Sequence, residues 1–286
     1  MRHARPVTVA DPPVLDHVPD VRLIALDMDG SLLDGAKRVH PTFWPLLDAL
    51  LARGVTVAPA SGRAYPTLRR TMGRDDLVYI AENGAHVVRD GVAVAVDGLD
   101  LAVARDVVRR VRGAAATLDV GVVLCGERSA YVERTDDAFL AQCTPYYALL
   151  ETVDDLTAVQ DTVLKVAVHD FGDAEAGAGP ALASFGDVAR VLVSGEHWVD
   201  VMSPTADKGT ALRAVQAALG VGPEHTMAFG DYLNDVGMLA AADWSFAMAN
   251  GHPDVRAGAR FLAPSNDENG VVRTIASVLR LDVPGL

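Results

Sequence analysis

Short apolar runs that end in acidic or glycine-containing turns recur near both ends of this chain, and they narrow its possible folds more than any other feature. Val21 to Asp27 reads VRLIALD. That run is too short for an amphipathic helix and too uniformly apolar for a strand with one wet face. It reads as a buried strand that delivers Asp27 at its carboxyl end. A helical segment follows from Pro41 to Arg53, with Pro41 in its first turn and Gly54 just past its end. Val55 to Ala58 begins a second buried strand with Ser61 just beyond it, Tyr65 to Met72 forms a helix, and Leu77 to Ala81 a third strand. The same rhythm returns late in the chain: helix Asp207 to Leu219, strand Thr226 to Gly230, helix Asn234 to Ala241, strand Ser245 to Met248 and a last helix Asp267 to Leu279. Such alternation builds an α/β domain around a parallel sheet.

The rhythm breaks at about Ala85. There HVVRDGVAVAV sets an Asp90-Gly91 turn between two β-prone segments, the signature of an antiparallel hairpin. Up to about His197 the pattern gives a helix from Leu101 to Leu118, short strands near Val120 and Val132, and a strand from Val163 to Val168. A Gly/Ala-rich connection from Gly172 to Gly179, a further helix and a strand from Val188 to Val193 complete it. The expected organisation is a loose extension over 1–20, interrupted by Pro6, Pro12, Pro13 and Pro19, then an α/β core from 21–85 and 199–286. An α+β domain over 86–198 is inserted into that core. Ligands of open parallel sheets bind at the carboxyl ends of the strands, and the insert is placed to cover that crevice.

Composition removes several functions. Half of the 286 residues are hydrophobic, enough for a sizeable core, and the formal net charge of -13 repels nucleic acid and anionic membrane surfaces. No apolar stretch reaches the ~20 residues of a membrane-crossing helix. Cys125 and Cys143 are the two cysteines, too few for a disulfide framework and without metal-ligand spacing, which suits a cytoplasmic protein with inert thiols. His86, His169, His225 and His252 show no metal spacing either. Monomer and homodimer are equally compatible with the sequence.

Four stretches fall at the expected carboxyl ends of strands or at the start of a helix: Asp27-Met28-Asp29-Gly30-Ser31, Ser61-Gly62-Arg63, Lys208-Gly209 and Gly230-Asp231-Tyr232-Leu233-Asn234-Asp235. Each alone is ordinary. An Asp-x-Asp-Gly is common in turns and calcium loops, and an aspartate with acidic first-turn partners caps many helices. Together and in this order they suit one reaction. A carboxylate attacking a phosphate ester needs cations to neutralise both anions; Lys208 is one and Mg2+, with its preference for hard oxygens, is the natural other. Asp27, Asp231 and Asp235 can ligate the metal, and the spacing of the last two places them on one face if the helix begins there. The leaving alkoxide must gain a proton and the later water must lose one, so a second acid/base group is needed, and Asp29 is close to Asp27 but distinct from it. Gly30 lets the backbone turn sharply beside a phosphate that the Ser61 hydroxyl and backbone N–H groups can hold. A lysine in the first turn of a helix opposes the helix dipole, so an anion is expected beside Lys208.

These four stretches resemble the motifs of the haloacid dehalogenase superfamily, and the insert resembles the large α/β (C2-type) cap of its Cof-type branch. The likeness runs from about Val21 to near the end of the chain. It implies a Rossmann-like core under a cap. It also implies a Mg2+-dependent phosphatase for a small phosphorylated metabolite: a sugar phosphate, a polyol phosphate or a phosphorylated cofactor. By resemblance Asp27 is the nucleophile and Asp29 the acid/base that also gives its carbonyl to the metal. Ser61, Gly62, Lys208 and Gly30 hold phosphate, and Asp231 is the main second carboxylate, with Asn234 and Asp235 completing the acidic loop. The family commonly has threonine where Ser31 and Ser61 stand; both replacements keep the hydroxyl. Arg63 either contacts substrate or pairs with an acid, and Glu82-Asn83-Gly84 either turns the chain or touches substrate at the start of the insert. A phosphotransferase or phosphomutase working through the same aspartyl-phosphate is an alternative enzyme reading, and a non-catalytic protein that binds phosphometabolites is an alternative of another class.

Overall fold

The computed structural model describes residues 11–286. The first half of the expected N-terminal extension therefore lies outside the described residues, and its second half, 11–20, carries no helix or strand. In chain order the elements are β1 (Leu23–Asp27), α1 (Phe43–Ala52), β2 (Thr56–Ala60), α2 (Tyr65–Met72), β3 (Val78–Ala81), β4 (His86–Arg89), β5 (Val92–Val96) and α3 (Leu101–Ala114). There follow β6 (Val120–Gly126), β7 (Ala130–Val132), α4 (Asp137–Cys143), β8 (Leu150–Thr152), β9 (Val163–Asp170), α5 (Ala178–Leu182), β10 (Arg190–Gly195) and β11 (Trp198–Met202). The chain closes with α6 (Lys208–Leu219), β12 (Thr226–Gly230), α7 (Val236–Ala240), β13 (Trp244–Met248), α8 (Pro253–Gly258), β14 (Phe261–Ala263) and α9 (Gly270–Leu279). None of these helices is long and apolar enough to cross a membrane.

Two compact units result. The first comprises the described residues up to Ser61, Asp75–Val92 and Asp207–Leu286; the second comprises Gly62–Arg74 and Ala93–Ala206. In the first, the strand order is β14-β13-β12-β1-β2-β3-β4, with β5 at the end of that order. Strands β14 to β3 run parallel and β4 turns back antiparallel on β3. All five residues of β1 are buried, as a strand inside a parallel sheet with helices on both faces requires. Short α8 and β14, with only a few residues each, carry too little periodicity to be read from sequence.

The boundaries between units differ from those the sequence suggested. The antiparallel hairpin with its Asp90-Gly91 turn is present, but Val87 and Val88 of β4 pair with Ile80 and Tyr79, so 86–89 completes the first sheet rather than opening the insert. A switch from parallel to antiparallel pairing is what the sequence registered at Ala85. Helix α2 belongs to the second unit, where the Thr67 hydroxyl donates to Tyr146 O at 2.7 Å and accepts from Ala148 N at 3.0 Å. The return to the first unit falls at Asp207 rather than residue 199, because Trp198–Met202 pairs with β9.

The second unit is a six-stranded sheet, β10-β11-β9-β6-β7-β8. Its central strand β9 is buried along its whole length, and the strand period of two separates its neighbours by face. Val166, Val168, Val199 and Val201 pack with Val107, Val108 and Leu182. These helix partners fit the sequence of α3, which is capped by Asp100 accepting from Ala102 N and Val103 N and buries Ala104, Val107, Val108 and Val111 at helical spacing. On the other face Val123, Cys125 and Ala167 pack with Phe139, Cys143 and Tyr147. Both cysteines are buried, and burial pushes the Cys143 thiol up to about 12. Lys165 is buried on β9 and donates to Gly62 O at 3.2 Å, with Asp200 Oδ2 at 3.5 Å.

The backbones of the first unit pack closely where α6 meets α7. A Cβ at Gly209 would stand 2.2 Å from Gly237 O, a backbone atom that no side-chain rotation can move. Gly209→Ala should gain about 1 kcal/mol of helix propensity and lose more by forcing these backbones apart, since overpacking costs about 1–3 kcal/mol. The expected net outcome is a melting temperature several degrees below wild type in a thermal denaturation scan, whereas Gly113→Ala, with open space around the new methyl, should not fall.

Candidate active site

Register brings the three stretches that follow strands, those beginning at Asp27, Ser61 and Gly230, to one level. Leu26 of β1 pairs with Phe229 of β12, so Asp27 and Gly230 are neighbours and Asp231 lies one residue beyond. Asp27 also pairs with Ala60 of β2, which sets Ser61 one residue past the strand end. Lys208, from the start of α6, reaches in as a nearly solvent-free ammonium, 1% exposed. Its Nζ donates to Asp27 Oδ1 at 2.6 Å and to Asp235 Oδ1 at 2.7 Å. The anion expected beside a first-turn lysine is thus a pair of carboxylates. Asp207 caps the same helix, accepting from Gly209 N at 2.8 Å and Thr210 N at 3.1 Å.

Oxygens of Asp27, Asp231 and Asp235 all lie within 4.8 Å of one another. The crowding is visible in their protonation. Burial, with the charge of Asp235 added, holds the Asp27 carboxyl well above the usual carboxylate range against the opposing pull of Lys208. Burial and then Asp235 push Asp231 up to about 6. Burial alone would lower the Lys208 pKa, yet Asp235 and Asp27 outweigh it and raise it. Three carboxylates against one ammonium leave a surplus of negative charge, and Asp27 Oδ2 is buried without a hydrogen-bond partner. A cluster of hard oxygens with an orphaned acceptor fits a divalent cation such as Mg2+. No histidine or cysteine joins the cluster among the described residues.

Asp231 and Asp235 come together for a different reason than a shared helix face. Leu233–Asp235 is a 3-10 turn and the helix starts only at Val236. The loop instead folds around the Asp235 carboxylate, whose Oδ2 accepts from Asp231 N at 2.9 Å and Tyr232 N at 3.1 Å. With Oδ1 on Lys208, both Asp235 oxygens are engaged, and it ties the loop to the lysine. Gly30 is required by the same crowding: its φ is +87°, and a Cβ would stand 2.3 Å from Asp231 Oδ2. Ser31 Oγ donates to Asp231 Oδ1 at 3.4 Å.

Other anticipated residues are placed as follows. Asp29 points toward solvent, its side chain 39% exposed, and accepts from Lys37 Nζ at 2.8 Å. Ser61 is buried, with its N–H donating to Ile80 O at 2.9 Å. Gly62 and Arg63 belong to the second unit. Asn234 Nδ2 donates to Asn83 Oδ1 at 3.1 Å, joining two residues singled out separately. Two participants escaped the sequence reading. Lys37 lies in a polar loop with no pattern, whereas Asn250, which donates to Gly30 O at 2.8 Å, follows the carboxyl end of β13 and could have been found by the strand-end rule.

Removing the ammonium while keeping the bulk isolates its electrostatic share. Lys208→Met leaves buried carboxylates uncompensated, and breaking a buried pair from one side costs about 3–5 kcal/mol. Thermal melts should place the variant well below wild type at pH 8. The gap should narrow at pH 5, because a carboxyl whose folded pKa is raised binds its proton more tightly in the folded state and so gains stability as pH falls. An equal gap at both pH values would contradict the placement of Lys208 between the carboxylates.

Comparison with known proteins agrees with this architecture. Residues 24–275 match the family model of the haloacid dehalogenase-like hydrolases. The chain is 30% identical to the 5-amino-6-(5-phospho-D-ribitylamino)uracil phosphatase YbjI of Escherichia coli, over 92% of this chain and 98% of that one. It is 29% identical to the HMP-PP phosphatase of Cronobacter sakazakii, over 82% of this chain and 87% of that one. Among solved structures, that of SMU.1108c from Streptococcus mutans UA159 superposes with a TM-score of 0.77 at 26% identity, covering 91% of this chain and 99% of that one. Since the match reaches all three segments of the first unit and the whole of the second, the chain belongs to the haloacid dehalogenase-like hydrolases.

Proposed function

We propose that the chain is a Mg2+-dependent phosphatase that moves phosphate from a small phosphorylated metabolite onto Asp27 and then hydrolyses the aspartyl-phosphate. The observation that carries this reading is the buried Asp27 carboxylate, held by Lys208 on one oxygen and without a hydrogen-bond partner on the other, beside Asp231. A structural ion pair has no need of an orphaned acceptor or of surplus negative charge; a site that receives a cation and a phosphate uses both. Asp27 and Asp231, with Asp235 behind them, would hold the Mg2+. When bound, the ion offsets the negative charge of the carboxylates and of the phosphate oxygens.

In the first step a carboxylate oxygen of Asp27 attacks phosphorus, the phosphorus–ester oxygen bond breaks, and the alkoxide takes a proton from the Asp29 carboxyl group. Lys208 neutralises the approach of the two anions, and the Ser61 hydroxyl and the backbone of Gly62 and Gly30 hold phosphate oxygens. In the second step water gives its proton to the Asp29 carboxylate and attacks phosphorus. The bond to Asp27 breaks, releasing inorganic phosphate and restoring both carboxyl groups. Arg63 and the 93–206 segment, in the role of a cap, would select the leaving group. The substrate class is drawn from the two curated relatives, named as phosphatases of a phosphoribityl compound and of HMP-PP, and comprises sugar phosphates, polyol phosphates and small phosphorylated cofactors.

Phosphate release from a panel of such compounds, with and without Mg2+, tests the proposal. Release should require the metal and fall by about 10^3-fold or more in Asp27→Asn, a change that removes the nucleophile while keeping side-chain volume and a cooperative melt. Undiminished release by that variant would remove Asp27 as nucleophile.

A further inference from the structure

Three consecutive residues of left-handed backbone follow β3 directly: Glu82 at φ +49°, Asn83 at +54° and Gly84 at +100°. Asparagine tolerates this region and glycine is free in it, but glutamate is not, and such a run persists only when its surroundings over-determine it. Glu82 and Asn83 are buried, at 1% and 8% exposure. The nearby β4–β5 hairpin shows what chain reversal alone demands: Asp90 and Gly91 are also left-handed, yet both are exposed and a Cβ on Gly91 would meet nothing within 4 Å.

The buried turn touches three of the four motif stretches and belongs to none. Asn83 N donates to Ser61 O at 2.9 Å. Asn83 Oδ1 accepts from Asn234 Nδ2 at 3.1 Å, in the loop that folds around Asp235. The Gly84 backbone lies against the start of α6 so closely that a Cβ would stand 2.4 Å from Asp207 O and 2.9 Å from Lys208 N. All of these residues lie within the first unit.

We propose that Glu82-Asn83-Gly84 is a positioning element that fixes Ser61, the Asp231–Asp235 loop and Lys208 relative to one another, with Asn83 as its central residue. Its consequence for turnover rests on the phosphatase reading; its geometric part does not. Displacing the acidic loop misplaces reacting groups without touching the bound substrate, so the loss belongs in kcat rather than KM, and a misplacement of about 1 Å is enough to cost on the order of 100-fold.

Two variants separate positioning from folding. Asn83→Gly keeps the left-handed backbone and removes the bond to Asn234, whereas Asn83→Asp keeps both the conformation and an acceptor oxygen. Hydrogen exchange read by mass spectrometry on the full chain should show the peptide containing Asp231 and Tyr232 exchanging about tenfold faster in Asn83→Gly at an unchanged melting temperature. Over the Mg2+-dependent panel, kcat should fall about 10- to 100-fold with KM nearly constant, and Asn83→Asp should restore both readouts. Wild-type exchange in that peptide, or a kcat within about threefold of wild type, would overturn the proposal. Should the native protein release phosphate from no compound, the phosphatase reading falls, and the exchange of this peptide alone then sustains or overturns the positioning role.

Discussion

A single buried ammonium organises the first unit. Lys208 Nζ sits between Asp27 and Asp235 with almost no solvent contact, and each of those carboxylates is fixed in turn by a different part of the chain. Asp27 ends a strand flanked by parallel neighbours, and Asp235 closes a loop over its own backbone. Removing charges from water is expensive, and a fold that needed only stability would fill this space with apolar side chains. Such a site is retained where charge is to be handled, and a carboxylate surplus beside one lysine is poised for a cation and an anionic ligand.

The rest of the geometry serves that arrangement through backbone rather than side chains. In-register parallel strands bring Asp27, Ser61 and Asp231 to one edge. Glycines let the segments close in: Gly30 beneath Asp231, Gly84 against Asp207, Gly209 against Gly237 and Gly230 against Asp235. At each of them a Cβ would stand 2.2–2.5 Å from the group it faces. This explains how residues far apart in sequence reach hydrogen-bond distance, and why the acidic loop needs no long helix to order it.

Much of this was legible in the sequence. The VRLIALD run marked a buried strand and the Asp90-Gly91 turn a hairpin, because each depends on local pattern, and the strand-end rule pointed to Asp27 and Asp231, which the fold brings into one cluster with Asp235 and Lys208. The membership of β4 and of Trp198–Met202 was not legible, since which sheet a strand joins is decided by its partners and β-prone residues look alike in either. Spacing suggested a helix face for Asp231 and Asp235, and the observed loop closure depends on Asp235 accepting from two backbone N–H groups, which no periodicity encodes. Lys37 and Asn250 lie in irregular segments where contacts are set by tertiary proximity alone.

The central claim is that phosphate passes through a covalent bond to Asp27. Rapid acid quench of the Mg2+-loaded enzyme during turnover, followed by borohydride reduction and peptide mass spectrometry, reads this bond directly, because an acyl phosphate on aspartate is reduced to homoserine. The account predicts homoserine at position 27 and at no other aspartate. Phosphate release in the same sample with an unmodified Asp27, or with the reduction mapped to Asp29 or Asp231, would contradict it.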